Sequence, residues 1–191
     1  MDEEGDGAEA SKYRALAARC NFLSADRPDI SYAVKQLCWD MTRPKVRSWG
    51  RLKRLVRYLA GVPRMAETFS REPRESLGVI TVYTDSDWAG CKETRKSTSG
   101  GILTIAGAIV KSWSKTQSTI ARSSGEAEFY AAAHGVVEAM GIRSIADDLG
   151  WVLEVRLNVD SSAAKAMASR TGLGKTRHIE VQYLWLQQIM K

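Results

Sequence analysis

Cysteine and histidine are scarce in this chain of 191 residues, and their positions exclude two kinds of stabilised domain. The three cysteines, Cys20, Cys38 and Cys91, are odd in number and widely spaced, and only His134 and His178 could join them. A disulfide framework needs paired cysteines, and a zinc knuckle needs closely spaced Cys and His ligands. The cysteines are therefore expected to be reduced and structural.

Long apolar runs are also missing. No run approaches the roughly 20 apolar residues of a membrane span, and the first ten residues are acidic without any basic residue, which is unlike a secretory signal. These absences predict an intracellular protein, cytoplasmic or nuclear, that does not enter a membrane. The hydrophobic content of 44% is enough for a core, in one large domain or two small ones.

Two common catalytic motifs are absent as well. The segment Gly172-Leu-Gly-Lys-Thr176 is like the end of a phosphate-binding loop, but the first glycine of that loop would fall at Ser169, and the segment follows a predicted helix instead of a strand. There is no G-x-S-x-G elbow, and two histidines offer few bases for a serine hydrolase. Nucleotide hydrolysis and serine-hydrolase chemistry therefore receive little weight.

Positive charge is present in excess and is concentrated in one region. The net charge is +6, and residues 41–75 hold ten Lys and Arg against three Glu. Apolar residues from Trp49 to Leu59 recur at helical spacing, which predicts an amphipathic helix with one basic side. Nucleic acid is the expected partner of such a patch, although a solvated face explains it equally well. The candidate nucleic-acid-binding residues are Arg47, Arg51, Lys53, Arg54, Arg57, Lys96 and Lys115.

The first part of the chain is predicted to be helical. Residues 1–10 form an acidic disordered tail, residues 11–66 a helical segment, and residues 67–76 a polar linker. Within the helical segment, Asp26-Arg-Pro-Asp29 is a turn and cap signal before a helix from Ile30 to Met41, and the basic helix ends near Gly61.

The second part, residues 77–191, is predicted to be an α/β domain. Its order is three antiparallel strands, a helix, a further strand and more helices. The predicted elements are strands Leu77–Thr84, Gly100–Ala106, Ala108–Trp113 and Leu153–Val159, helices Gly125–Leu149, Ser161–Ser169 and Ile179–Met190, and a loop over 170–175.

Three acidic segments lie at the ends or beginnings of these elements. Asp85 and Asp160 each come after an apolar strand, and Glu126 and Glu128 open the long helix. Carboxylates at one edge of a sheet can converge on hard divalent cations such as Mg²⁺. Any one of these acids alone is more often a turn or cap residue, but clustered carboxylates repel one another unless a cation is present. Glu126 and Glu128 point about 200° apart around a helix, so only one can face such a site.

The chain resembles copia-type retrotransposon polyproteins over nearly its whole length. In its first part it is similar to the segment that connects the reverse transcriptase to the nuclease, and in its second part to the ribonuclease H domain. The motifs that carry the resemblance are Tyr13-Arg-Ala-Leu, Arg27-Pro-Asp-Ile-Ser-Tyr32, Tyr83-Thr-Asp-Ser-Asp-Trp-Ala-Gly90, Arg95-Lys-Ser-Thr-Ser-Gly100, Ser112-Trp-Ser-Lys-Thr-Gln117, Ser123-Ser-Gly-Glu-Ala-Glu-Phe-Tyr130, Val159-Asp-Ser161 and Thr176-Arg-His-Ile-Glu180.

The resemblance implies a ribonuclease H-like α/β fold with a mixed sheet, in which the strand after the long helix lies parallel to the first strand. It also implies a metal-dependent nuclease that cuts the RNA strand of RNA·DNA hybrids. Asp85, Glu128 and Asp160 would hold two Mg²⁺ or Mn²⁺ ions, with Glu128 as the family's helix glutamate. Asp87, Ser161 and His178 would support them. Partners would be the hybrid or other nucleic acid and other parts of a polyprotein. The alternative is an inactive remnant or a nucleic-acid-binding module that uses the basic helix.

Several residue roles stay open at this point. Trp88, Trp113 and Trp185 could stack on bases, but core packing is favoured for Trp113. His178 could help product release or be structural. In the family, a further strand and a helix with a fourth metal-binding aspartate come after the segment matching Ile179 to Met190, and this chain is expected to lack both. Whether the chain is catalytically active therefore stays open at this point.

Overall fold

The chain folds into two compact units, Met1–Glu67 and Thr68–Lys191. The structure, a computed structural model, describes residues 7–66, 69, 77–170, 179 and 181–189. Most of the predicted linker at 67–76 lies outside the described residues, as does His178. None of the described helices has both the length and the apolar character needed to cross a bilayer.

The first unit is helical, as its periodicity predicts. It contains α1 (Gly7–Leu23), a 3-10 turn (Pro28–Ile30), α2 (Ser31–Trp39) and α3 (Val46–Gly61). The first turn of α1 takes in residues 7–10 of the predicted disordered tail, where Ala8, Glu9 and Ala10 favour a helix. The core of this unit is built from the buried residues Tyr13, Ala17, Cys20, Ile30, Val34, Leu37, Leu52 and Leu55.

The turn formed by Arg27, Pro28 and Asp29 does not cap a helix. It stabilises the helical unit through side-chain hydrogen bonds to the end of α3. Asp29 does not cap α2, because the residue before α2 is Ile30, which makes no side-chain cap bond. The carboxylate instead accepts bonds from Arg27 (2.9 Å, Nε to Oδ1) and from the Tyr58 hydroxyl (2.8 Å, Oη to Oδ2). Arg27 also donates to the Val62 carbonyl (3.1 Å), so the turn is tied to the end of α3. The Arg27 guanidinium lowers the pKa of Asp29 to about 2.

The second unit contains a four-stranded mixed sheet. Its strands are β1 (Val79–Asp87), β2 (Thr98–Ile105), β3 (Ala108–Thr116) and β4 (Glu154–Val159), in the spatial order β3-β2-β1-β4. The first three strands are antiparallel neighbours, and β4 lies parallel to β1. This is the mixed sheet with helices that the sequence predicts.

The described residues of this unit also form four helices. They are α4 (Ser124–Asp148), α5 (Ser162–Ser169), α6 (Val181–Leu184) and α7 (Leu186–Ile189). Of these, α4 packs against β1, β2 and β4, and α7 packs against α5. The helix predicted over Ile179–Met190 is thus two short helices, of which each has four residues, with Trp185 between them. The predicted boundaries of α4 and α5 agree with the structure to within one residue at each end.

Two glycines let the sheet and α4 come close together. A side chain at Gly135 on α4 would place its Cβ 2.5 Å from Thr84 Cγ2 and 2.9 Å from Val82 Cγ1. A side chain at Gly101 on β2 would overlap the ring of Trp113, which is partly buried against the core. The favoured core position of Trp113 is thereby explained, and α4 lies directly on β1, where it can bring a side chain to the end of the strand.

Among the strand boundaries that differ from the prediction, the end of β1 is the one that affects the site. Asp85 does not end β1, because the strand continues through Ser86 and Asp87, which pair with Ser99 and Thr98 of β2. The sequence turns polar after Thr84, so its apolar run is shorter than the strand. Polar residues remain in the strand because β2 supplies backbone partners at this end.

Candidate metal centre

Three carboxylates from three separate elements meet at one end of the sheet. Asp85 lies in β1, Glu128 in the second turn of α4, and Asp160 directly after β4. One carboxylate oxygen of each residue lies within 4.8 Å of the others. Asp85 and Asp160 are exposed, whereas Glu128 is buried. The parallel pairing of β1 and β4 is what brings the two aspartates to the same edge.

Glu128 is the most constrained member of this cluster. Its Oε1 accepts bonds from the Ser86 backbone N–H (3.1 Å) and the Ser86 hydroxyl (3.3 Å). Its Oε2 is buried and has no hydrogen-bond partner. Burial raises the pKa of Glu128, and the negative charges of Asp85 and Asp160 raise it further, against the lowering effect of the Ser86 bonds. The structure therefore presents one oriented carboxylate oxygen without a donor, beside two other carboxylates.

The start of α4 is held by a set of local bonds that fix the position of Glu128. Ser123 caps the helix, accepting a bond from the Glu126 backbone N–H at 3.2 Å. The Glu126 carboxylate is buried and accepts from the Tyr130 hydroxyl and from the Arg122 backbone N–H (3.1 Å). Burial and the bond to Glu126 raise the pKa of Tyr130. Glu126 therefore faces away from the other carboxylates, as the helical geometry predicts.

The supporting residues predicted from the sequence have structural partners. The Asp87 carboxylate accepts a bond from the Thr98 backbone N–H, and Gly90 packs so closely against it that a side chain at Gly90 would overlap it. Asp87 lies at the end of β1, not in a turn. Ser161 caps α5 and accepts from the Ala164 N–H at 3.1 Å. The role expected of His178 stays a prediction.

One residue of the predicted basic face of α3, Arg51, forms an ion pair with an acid of the same unit. Arg51 donates to the Asp40 carboxylate at 2.9 Å, and Asp40 also accepts from the Ser48 hydroxyl. Arg51 is thus engaged inside the helical unit, because the sequence pattern does not reveal a buried acid six residues before the helix. The side chains of Arg47, Lys53, Arg54 and Arg57 are exposed. In the sheet unit, Lys115 is exposed and Lys96 is half-buried.

Sequence reasoning missed two residues that shape the site. Ser86 orients Glu128 through two bonds, and nothing in its position among acids signals this. Trp88, about half exposed, donates from its indole nitrogen to the Ala121 carbonyl (3.1 Å), which ties the segment after β1 to the segment before α4. For Glu126, the sequence did contain a signal of its structural role, because its spacing from Ser123 is that of a capping box.

The comparisons with known proteins indicate the origin of this chain. No protein-family model matches it. It is 38% identical to an uncharacterized mitochondrial protein of Arabidopsis thaliana over 124 residues, 64% of this chain and 50% of that protein. It is 36% identical to the retrovirus-related Pol polyprotein from transposon RE2 of Arabidopsis thaliana over 140 residues, 73% of this chain and 9% of the polyprotein. A secreted RxLR effector protein of Plasmopara viticola is 36% identical over 126 residues, 66% of this chain and 87% of that protein.

The chain belongs to the same family as the Plasmopara viticola protein, of which it covers 87%. Its homologues also include retrotransposon Pol polyproteins, which supports a retrotransposon-derived sequence. The chain spans half of the mitochondrial relative and about a tenth of the transposon polyprotein. The similarity to Pol polyproteins agrees with the resemblance seen in the sequence motifs and is consistent with other polyprotein segments as partners.

Proposed function

We propose that the sheet unit is a ribonuclease H-like nuclease of a copia-type Pol polyprotein, which hydrolyses the RNA strand of RNA·DNA hybrids. The observation that carries this proposal is the convergence of Asp85, Glu128 and Asp160 within 4.8 Å. These residues come from a central strand, a covering helix and a parallel strand, the same elements to which the resemblance assigns the nuclease carboxylates.

The donor set fits a hard divalent cation. Mg²⁺ and Mn²⁺ prefer carboxylate oxygens, and no cysteine or histidine belongs to the group found among the described residues. The Glu128 Oε2 atom is buried without a donor, and such an atom is costly unless a proton or a cation neutralises it. Burial and, to a smaller extent, the charges of Asp85 and Asp160 raise the pKa of Glu128, so its negative charge is disfavoured without a neutralising partner.

Each side chain has a distinct part in this proposal. Two bound Mg²⁺ ions would supply an activated water and stabilise the leaving oxygen of the phosphodiester. Asp85, Glu128 and Asp160 would together hold the ions through their carboxylate oxygens. Ser86 holds Glu128 in its orientation through Oε1 and leaves Oε2 for the ion. Selection of a hybrid would depend on its shape and on the sugar hydroxyl more than on base edges.

The deciding experiment is cleavage of a labelled RNA·DNA hybrid in Mg²⁺ or Mn²⁺ by the chain and by its Asp85→Asn variant. Cleavage by the parent is expected to fall on the order of 10³-fold in the variant, because several kcal/mol of charge stabilisation are lost. Asp147→Asn, an exposed acid at the far end of α4, is the matched control and should cleave like the parent. Equal activity of Asp85→Asn and parent, or no cleavage by the parent, would reject the proposal.

A second function, nucleic-acid binding by the helical unit, is favoured by the exposed basic residues of α3. Four of the five candidates on this helix are exposed, Arg47, Lys53, Arg54 and Arg57. Contacts to phosphates are salt-dependent and insensitive to sequence. Hybrid binding in EDTA should weaken in an Arg54→Gln, Arg57→Gln double variant, whereas Lys12→Gln, an exposed change on α1, should leave it unchanged. Binding unaffected by the double variant would exclude this role.

A further inference from the structure

A groove in the sheet unit lies beside the start of α4 and is separate from the three carboxylates. It has a volume of about 280 Å³ and is bounded by the end of β3, one flank of α4 and the segment that joins α6 to α7. The polar side chains at its wall include Lys115, Ser118, His134 and Tyr183. Because these residues include a cation and two hydroxyls, the groove is suited to an anion.

Lys115 is the principal charge of this groove. Its side chain is exposed, and within the described residues it makes no ion pair. The neighbouring acid, Glu138 on α4, is already bound to Lys111 and lies 3.8 Å from His134 (Oε1 to Nε2). Glu138 therefore neutralises Lys111, and the positive charge of Lys115 stays available to a ligand.

The two hydroxyl groups and the imidazole complete the set of donors. The Ser118 and Tyr183 hydroxyls form a hydrogen bond with each other at 3.4 Å, in which either can be the donor, so the hydroxyl that accepts this bond has its own hydrogen left for a ligand oxygen. Burial lowers the pKa of His134, and the positive charges of Lys115 and Lys111 lower it further, opposed by Glu138. An anion in the groove would oppose these lysines and favour protonated His134.

The register of the sheet places this groove in line with the candidate metal centre. Ser86 pairs with Ser99, and Ser99 pairs with Lys115, so the three residues form one row across β1, β2 and β3. Ser86 is the residue that holds Glu128. Since neighbouring strands lie about 4.8 Å apart, the backbone of Lys115 is roughly 10 Å from that of Ser86. A strand of nucleic acid at the carboxylates can therefore present another of its phosphates to the groove.

We infer that the groove formed by Lys115, Ser118, His134 and Tyr183 binds a backbone phosphate of the nucleic acid whose phosphodiester lies at the carboxylates. This inference rests on the proposed nuclease function for the identity of the ligand. The Lys115 ammonium supplies the charge, and the hydrogen-bonded pair of Ser118 and Tyr183 hydroxyls supplies one neutral hydrogen bond. Such a contact positions the strand and carries no base preference.

The test measures binding without cleavage, so that its outcome is independent of the nuclease reaction. The affinity of a labelled RNA·DNA hybrid is measured in EDTA by fluorescence anisotropy over a range of salt concentrations. For Lys115→Gln, the slope of log affinity against log salt should become shallower by about 0.9, the loss of one phosphate contact. The matched control is Arg156→Gln, an exposed cation in the row of Thr81 on β4, which should keep the parent slope.

The inference would be overturned if the parent did not bind hybrid, or if the parent and Lys115→Gln had the same affinity and slope. An equal loss in Arg156→Gln would also overturn it, because the effect would then follow net charge. If Lys115→Gln loses the contact while the parent cleaves nothing, the groove assignment stands and the nuclease proposal fails. If cleavage depends on Asp85 but Lys115→Gln leaves KM unchanged, the nuclease proposal stands and the groove assignment fails.

A second readout identifies the groove and the source of the phosphate. The imidazole of His134 is followed by NMR titration with the hybrid and, separately, with inorganic phosphate. The hybrid should make His134 titrate at a higher pH, and the shift should be smaller in Lys115→Gln. A shift with inorganic phosphate and none with the hybrid would show a small-anion site and contradict the proposed contact with a nucleic-acid strand.

Discussion

Replacing Glu128 with Gln should stabilise the metal-free protein and remove its response to Mg²⁺. Glu128 is 8% exposed, and a carboxylate oxygen of each neighbouring aspartate lies within 4.8 Å. Two unit charges at that distance repel by about 1 kcal/mol at the dielectric constant of water and about 3.5 kcal/mol at an effective value of 20. Glutamine removes this repulsion, keeps an oxygen to accept from Ser86, and brings an amide that can donate to an aspartate.

The free energy of unfolding in EDTA should therefore rise by about 1–3 kcal/mol in Glu128→Gln. With Mg²⁺ at one hundred times its dissociation constant, the parent should gain about 2.7 kcal/mol, and the variant should gain much less. Denaturant unfolding with and without Mg²⁺ measures both quantities. Glu154→Gln, an exposed acid on β4, is the control that should keep the parent's response.

The same variant allows a test by pH. A carboxyl group whose pKa is raised on folding binds more protons in the native state, so its stability contribution is lost as pH rises from the unfolded to the folded pKa. Since the pKa of Glu128 is raised, the parent in EDTA should become relatively more stable as pH falls through this window, and Glu128→Gln should lack that gain. A variant that is less stable than the parent in EDTA and equally responsive to Mg²⁺ would refute the reasoning.

Three further changes test other contacts. Asp29→Asn removes a carboxylate whose pKa is lowered to about 2, so the parent should lose stability as pH falls from about 4 towards 2 and the variant should not, as acid titration of helicity would show. Gly135→Ala should cost about 1–3 kcal/mol in denaturant unfolding, because its Cβ would lie 2.5 Å from Thr84 Cγ2; an unchanged midpoint would contradict this close approach. Trp88→Phe should cost about 1 kcal/mol by losing the bond to the Ala121 carbonyl, and Trp88→Leu at a similar cost would show that the ring contributes little else.

The order of the elements and the convergence of the carboxylates could be read from the sequence, because both depend on local patterns. Apolar strands and the capped helix α4 are visible as periodicity, and the parallel orientation of β4 is what the family resemblance implied. The acids then fall at one edge of the sheet. The structure shows that Asp85, Glu128 and Asp160 lie close together, whereas their role in binding metal stays a prediction.

What the sequence could not show depends on partners that are distant along the chain. Arg51 faces outward in a helical projection, but Asp40 engages it across a turn. Asp85 was expected at a strand end, but β2 extends the pairing beyond it. Ser86 carries no motif of its own, and only the position of α4 over β1 makes it the residue that orients Glu128. Each of these contacts is set by packing between elements, which periodicity within one element does not encode.

A purely structural role for Glu128 explains only half of its surroundings. Carboxylates commonly tie a helix to a strand end, and the Ser86 bonds to Oε1 do this. A glutamine would make the same bonds without the cost of burying a charge. A structural role does not account for the absence of a donor at Oε2, nor for two aspartates from different strands directed to the same point. The divalent cation that we propose would account for both, since it would supply the missing partner of Oε2 and offset the repulsion among three negative charges, and removing it should therefore weaken the fold as well as stop the proposed reaction.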